Sequence, residues 1–166
     1  MTRRLALVLA LAFAGAAAAL VAPAALRPAT VLELTNAAHG RALAIPIVPG
    51  EPFSVTYHHS MYDQPVTEEF VVGPDGELVL QAVSSPSAAV REYFGITAGG
   101  ERHAIVRVMP EIVFRVAAGT PQRLSIGGVE RSFLELGGHG DRVVLRAVRR
   151  PVISLGARDG AATPAP

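Results

Sequence analysis

Apolar and polar side chains alternate from Phe53 to Ser60, so that Phe53, Val55, Tyr57 and His59 fall on one side of an extended chain and Ser54, Thr56, His58 and Ser60 on the other. Pro65 to Val72 repeats the alternation after a short interval, and the two stretches predict a hairpin with an apolar inner face. If Met61 to Gln64 form the turn, Ser60 faces Pro65, His59 faces Val66, Tyr57 faces Glu68 and Val55 faces Phe70. Glu68 then lies diagonal to His59 at roughly 7–8 Å between Cα atoms, within reach of a direct or water-bridged contact.

Strand-like runs recur along the rest of the chain at spacings of roughly ten residues, the pattern of an antiparallel β-sandwich or barrel. They cover Val31 to Thr35, Arg41 to Ile47, Glu77 to Val83, Arg102 to Met109, Ile112 to Ala117, Arg123 to Ile126, Val129 to Leu136 and Asp141 to Arg149. With the hairpin, these predict a single all-β domain of about nine to ten short strands over residues 31–150. Pro46 directs its strand to a sheet edge, because proline cannot donate to a ladder. Gly73-Pro74-Asp75-Gly76 and Gly127-Gly128 are turn signals with a mechanism, the second suited to a tight hairpin. Ser84 to Gly100 reads as a longer loop that presents Tyr93 and Phe94. Outside the leader, no window holds a helical period over ten residues.

The leader is Met1-Thr2-Arg3-Arg4 followed by an uncharged, Ala- and Leu-rich run from Leu5 to Ala22. It predicts export to a periplasmic or other extracytoplasmic compartment, through either a signal peptide cleaved after Ala24 or an anchor helix kept at residues 5–22. A linker over 25–30 and a flexible, Ala-, Gly- and Pro-rich tail over 151–166 frame the domain. The chain has no cysteine, so export brings no disulfide and stability must come from the core. Its formal charge is +1; without Arg3 and Arg4, 13 basic residues face 14 acidic ones, a balance of −1. Such a neutral domain argues against nucleic acid as partner.

The chemistry concentrates at Tyr57, His59, Ser60 and Glu68, with Tyr93 and Phe94 as a cover. One reading is a buried His59–Glu68 pair that pins the hairpin register, since a buried carboxylate needs a partner. Another is a recognition site in which His59 and Ser60 donate, Tyr57 frames, Glu68 fixes the imidazole tautomer and Val90 to Gly95 covers a small organic anion such as a carboxylate solute. A serine hydrolase is rejected: adjacent strand residues diverge, so His59 cannot act as base for Ser60, and there is no Gly-x-Ser-x-Gly elbow. His58 and His59 point to opposite faces and do not form a chelating pair, so neither a metal nor another cofactor is expected. His39 and His139, each beside a glycine, read as solvated loop residues. Arg102, Arg107 and Arg115 read as solvated strand faces.

Tyr57-x-His59-Ser60, Pro65-Val66-x-Glu68, Leu78-Val79-Leu80, a Ser-rich loop from Ser84, Leu124-x-Ile126-Gly127-Gly128 and Arg142-Val143-x-Leu145 follow in order. This succession, spanning about Val31 to Arg149, resembles the domain of unknown function 1850 family of small exported proteins. Its members are often encoded beside TAXI-type TRAP transporters, carriers that use a solute-binding protein and an ion gradient. The resemblance implies a non-enzymatic accessory role and a TRAP permease or solute-binding protein as partner. His59, Ser60, Pro65 and Glu68 match the family pattern. The Ser-rich loop departs from it, with Pro86-Ser87-Ala88-Ala89 where members carry an aromatic-Gly-Ala-Gly sequence. The missing glycines take away backbone freedom for a main-chain contact there.

Overall fold

The computed structural model describes residues 28–117 and 119–151. The expected leader, its cleavage site and all but the first residue of the C-terminal tail lie outside this range. Ten strands are present among the described residues: β1 (Pro28–Asn36), β2 (Arg41–Pro46), β3 (Pro52–His59), β4 (Gln64–Val72), β5 (Leu78–Ser84), β6 (Arg102–Met109), β7 (Ile112–Arg115), β8 (Arg123–Ile126), β9 (Val129–Ser132) and β10 (Arg142–Pro151). They form two antiparallel sheets, one in the order β2-β1-β10-β7 and the other in the order β6-β5-β4-β3-β8-β9. The all-β expectation holds. Pro46 ends an edge strand as its chemistry requires.

Thr30–Val148 forms one compact unit. Its core is shared between the inner faces of both sheets: Leu32, Leu34, Phe114, Val143 and Leu145 meet Phe53, Val55, Val66, Phe70, Leu80 and Leu124. Phe53 stacks on Phe70 across the hairpin at 5.3 Å between ring centroids, and Phe133 meets Phe114 edge-on at 5.1 Å. Gln122, buried between elements, satisfies both ends of its amide by donating to the Arg115 carbonyl at 2.7 Å and accepting from the Ala117 amide at 3.1 Å.

Several local expectations need correction. β1 starts at Pro28, so the last part of the presumed linker is strand. The run from Val129 to Leu136 is not one strand; after Ser132 it becomes a short 3-10 helix, Phe133–Glu135. Its start is a reciprocal cap, in which the Ser132 hydroxyl accepts from the Leu134 amide and Glu135 accepts from the Ser132 amide. The loop after Ser84 contains a one-and-a-half-turn helix, α1 (Ala88–Tyr93), opened by Ser87, whose hydroxyl accepts from the Val90 amide. Gly127 and Gly128 both have positive φ, 53° and 81°, and close the β8–β9 hairpin by setting Ile126 opposite Val129. In β5, one extra residue stands between Leu80, opposite Phe70, and Ala82, opposite Glu69, which makes a bulge at Gln81.

Candidate partner-binding site

The β3–β4 hairpin exists, and its two faces are those the alternation predicts, but its register differs. His59 faces Gln64, Tyr57 faces Val66, and Val55 faces Glu68. The turn is therefore Ser60 to Asp63, one residue earlier than expected. Asp63 adopts a left-handed backbone with φ 48°, its amide donating to the His59 carbonyl at 2.7 Å, and its carboxylate takes a hydrogen bond from His58 at 3.2 Å. Aspartate is among the few side chains that tolerate this region, which is why it closes the turn.

A slip of two residues keeps every side chain on its face and changes every partner. Glu68 is diagonal to Tyr57 instead of His59, and the Tyr57 hydroxyl donates to Glu68 Oε1 at 3.1 Å. The expected His59–Glu68 pair is thus replaced by a Tyr57–Glu68 pair. Burial pushes the Glu68 carboxyl above the ordinary carboxylate range, against the opposing pull of the Tyr57 hydroxyl and the Arg107 charge. Burial, then the charge and hydrogen bond of Glu68, raise the Tyr57 phenol far above its usual value, so it stays a proton donor. Tyr57 also meets Phe114 of the facing sheet edge-on, at 6.4 Å.

His59 is buried as expected, 7% exposed, but its company is aromatic. Its Nδ1 accepts from the Met61 amide at 3.4 Å, which leaves the hydrogen on Nε2 if the ring is neutral. One face stacks on Tyr62 at 5.1 Å; Tyr93, from the end of α1, approaches edge-on at 4.5 Å and in turn meets Phe94 at 5.6 Å. Four rings, from the end of β3, the turn and the C-terminal end of α1, therefore form a continuous row. Val90, fully buried, and Phe94, packed on the core, hold α1 to the sandwich. The Arg91 guanidinium ties the helix to the loop before it by donating to the carbonyls of Ser85 and Pro86, both at 3.0 Å.

No family model, curated protein or solved structure matches this chain.

Two rings of the row are open to solvent, Tyr93 at 62% and Tyr62 at 37%, and next to them in the turn Met61, whose amide donates to His59, is 70% exposed. Tyr62 and Tyr93 pack on His59, which is itself buried. Of the expected site residues, Tyr57, His59, Glu68, Tyr93 and Phe94 lie in this region, whereas Ser60 sits exposed at the start of the turn. Met61 and Tyr62 are additions to the residues that the sequence marks; as turn residues they show no periodicity, and their apolar character in a turn is the available signal. Among the described residues, no three His, Asp or Glu side chains converge as metal ligands. A shallow depression of about 220 Å3 lies elsewhere, on the outer face, between Ser54, Glu69, Ser125 and Gly127. His39 is more than a solvated loop residue, since its Nε2 is 2.9 Å from Asp141 Oδ2 and joins two turns. Arg102 likewise is engaged, donating to both oxygens of Glu69 at 2.8 and 2.7 Å.

Proposed function

We propose that the protein is an exported, non-enzymatic accessory of a TAXI-type TRAP carrier, and that it docks a protein component of that carrier through the aromatic end of its six-stranded sheet. The observation that carries the docking role is the exposure of Met61, Tyr62 and Tyr93 around buried His59. Clustered aromatic and methionine side chains around a desolvated centre are the make-up of interface hot spots. The leader supports export, and the family resemblance supports the choice of carrier. Among the described residues, no helix is long and apolar enough to cross a membrane.

The same geometry favours docking over capture of a carboxylate solute. The Tyr57 hydroxyl is already committed to Glu68, and a second carboxylate beside it would meet like charge. The test is co-purification from membranes of cells that express the chain beside the transporter genes. The solute-binding protein or permease should be retained by the wild type and lost with Tyr93→Ala and Met61→Asp. If neither component is recovered with the wild type, the proposal fails.

A further inference from the structure

The turn and α1, which bring the two open rings of the aromatic row, each carry a carboxylate next to an exposed tyrosine. Asp63 follows Tyr62, and its side chain is 91% exposed although its backbone is held by the left-handed φ of 48° and by the amide bond to the His59 carbonyl. Glu92 precedes Tyr93 in α1 and is exposed with it; its carboxylate meets no cation among the described residues. The basic side chains of the same segments are engaged. Arg91 turns its guanidinium back onto the carbonyls of Ser85 and Pro86, and His58 gives its Nδ1 hydrogen to Asp63. The open rings of Tyr62 and Tyr93 therefore stand in a negative surround.

Taking the aromatic end as a docking surface, a reading on which this one rests, we propose that its partner is a protein segment that presents an arginine side chain there. A guanidinium answers both features at once. Its flat face lies on an exposed tyrosine ring, whose π system attracts a cation, while its N–H groups reach a carboxylate at the rim. Lysine does this less well, because its compact ammonium is more strongly hydrated and has no flat face to stack. An anionic segment would meet like charge from Asp63 and Glu92, and so would a membrane rich in phosphatidylglycerol. The rings by themselves suit any apolar surface; the carboxylates select the sign. Because both carboxylates lie in water, they act on encounter and selection more than on tightness, and their effect falls as salt rises.

The probe is the capped peptide Gly-Arg-Gly-Arg-Gly, with its Lys and Glu counterparts, titrated into the full chain while the tyrosine ring signals are followed by NMR. The chain has three tyrosines, so Tyr57, Tyr62 and Tyr93 are readily told apart. The arginine peptide should shift Tyr62 and Tyr93, the lysine peptide should shift them less, and the glutamate peptide should leave them in place. Asp63→Asn combined with Glu92→Gln should weaken the arginine peptide about fivefold at low salt and flatten its salt dependence. The melting transition should be unchanged, since asparagine also tolerates the left-handed backbone and accepts from His58. Unmoved rings, equal shifts with the lysine or glutamate peptide, or an affinity indifferent to the double substitution would each overturn the proposal. So would co-sedimentation with phosphatidylglycerol vesicles that Tyr93→Ala abolishes. Peptide binding without recovery of a carrier component would uphold the arginine-bearing partner and remove the carrier. Full recovery of a carrier component by the double variant, with no response to the peptide, would uphold docking and overturn the arginine.

Discussion

Tyr57 gives its phenolic hydrogen to Glu68 across the β3–β4 ladder at 3.1 Å, on the face where both strands meet the core. Two polar groups are thereby removed from water together, and each is the other's remedy for burial. Tyr57→Phe keeps the ring against Phe114 and deletes only the donor. It should destabilise the domain by about 1–3 kcal/mol, read as a lower midpoint in urea unfolding. An unchanged midpoint would mean that water reaches Glu68 and replaces the phenol.

The pH response of Glu68 follows from its raised pKa. The folded state holds this proton more tightly than the unfolded chain does, so the carboxyl contributes most stability below its ordinary value of 4.5. That contribution is lost as the pH rises through the higher folded value. Glu68→Gln is neutral at every pH and keeps an acceptor for Tyr57. It should be more stable than the wild type at neutral pH, with the gap closing on acidification towards the ordinary carboxylate value. A gap that widens on acidification would reverse the sign of the argument.

The two adjacent histidines should separate cleanly. His59→Ala opens a hole beneath Tyr62 and Tyr93 and strips the Met61 amide of its acceptor, for a loss of about 1–3 kcal/mol. His58→Ala removes a pairing with highly exposed Asp63 and should stay within about 0.5 kcal/mol. Chemical denaturation of both variants checks the face assignment, which similar losses would refute.

Gly137 and Gly138 offer a second contrast. A methyl group on Gly137 would collide with the Asp141 carboxylate and the buried Asn36 amide, which donates to the Leu136 carbonyl at 3.2 Å. One on Gly138 meets nothing within 4 Å. Gly137→Ala should therefore cost about 1–3 kcal/mol and Gly138→Ala under about 0.5 kcal/mol in thermal or urea unfolding.

The strands were legible because their code is local: alternation marks a half-buried strand, and Gly127-Gly128 marks a tight turn. The hairpin shows where such reading stops. Alternation identified the inner face of β3 and β4, but it repeats every two residues and is blind to a slip of two. The turn breaks that tie, and Met61-Tyr62-Asp63-Gln64 contains no glycine to mark its left-handed position. Asp63 fills it, and Glu68 passes from His59 to Tyr57 as a result. α1 leaves no periodic signal in the sequence, because six residues are too few to show one and because the interactions that hold it, Val90 in the core and Arg91 on two carbonyls, depend on the folded chain. The burial of His59 was legible from its neighbours in sequence; the rings around it, brought from two separate segments, were not.

The extra residue in β5 governs more than its own ladder. Leu80 and Val83 both pair with inward-facing residues of β4 although three positions separate them, which no uninterrupted strand could arrange. Gln81 acts as a phase shifter: it inverts the in-out rhythm just before the chain leaves the sheet at Ser84. Tyr93 reaches His59 from a segment launched after that inversion, so deleting a single residue there would turn the launch point over without altering one atom of the aromatic row itself.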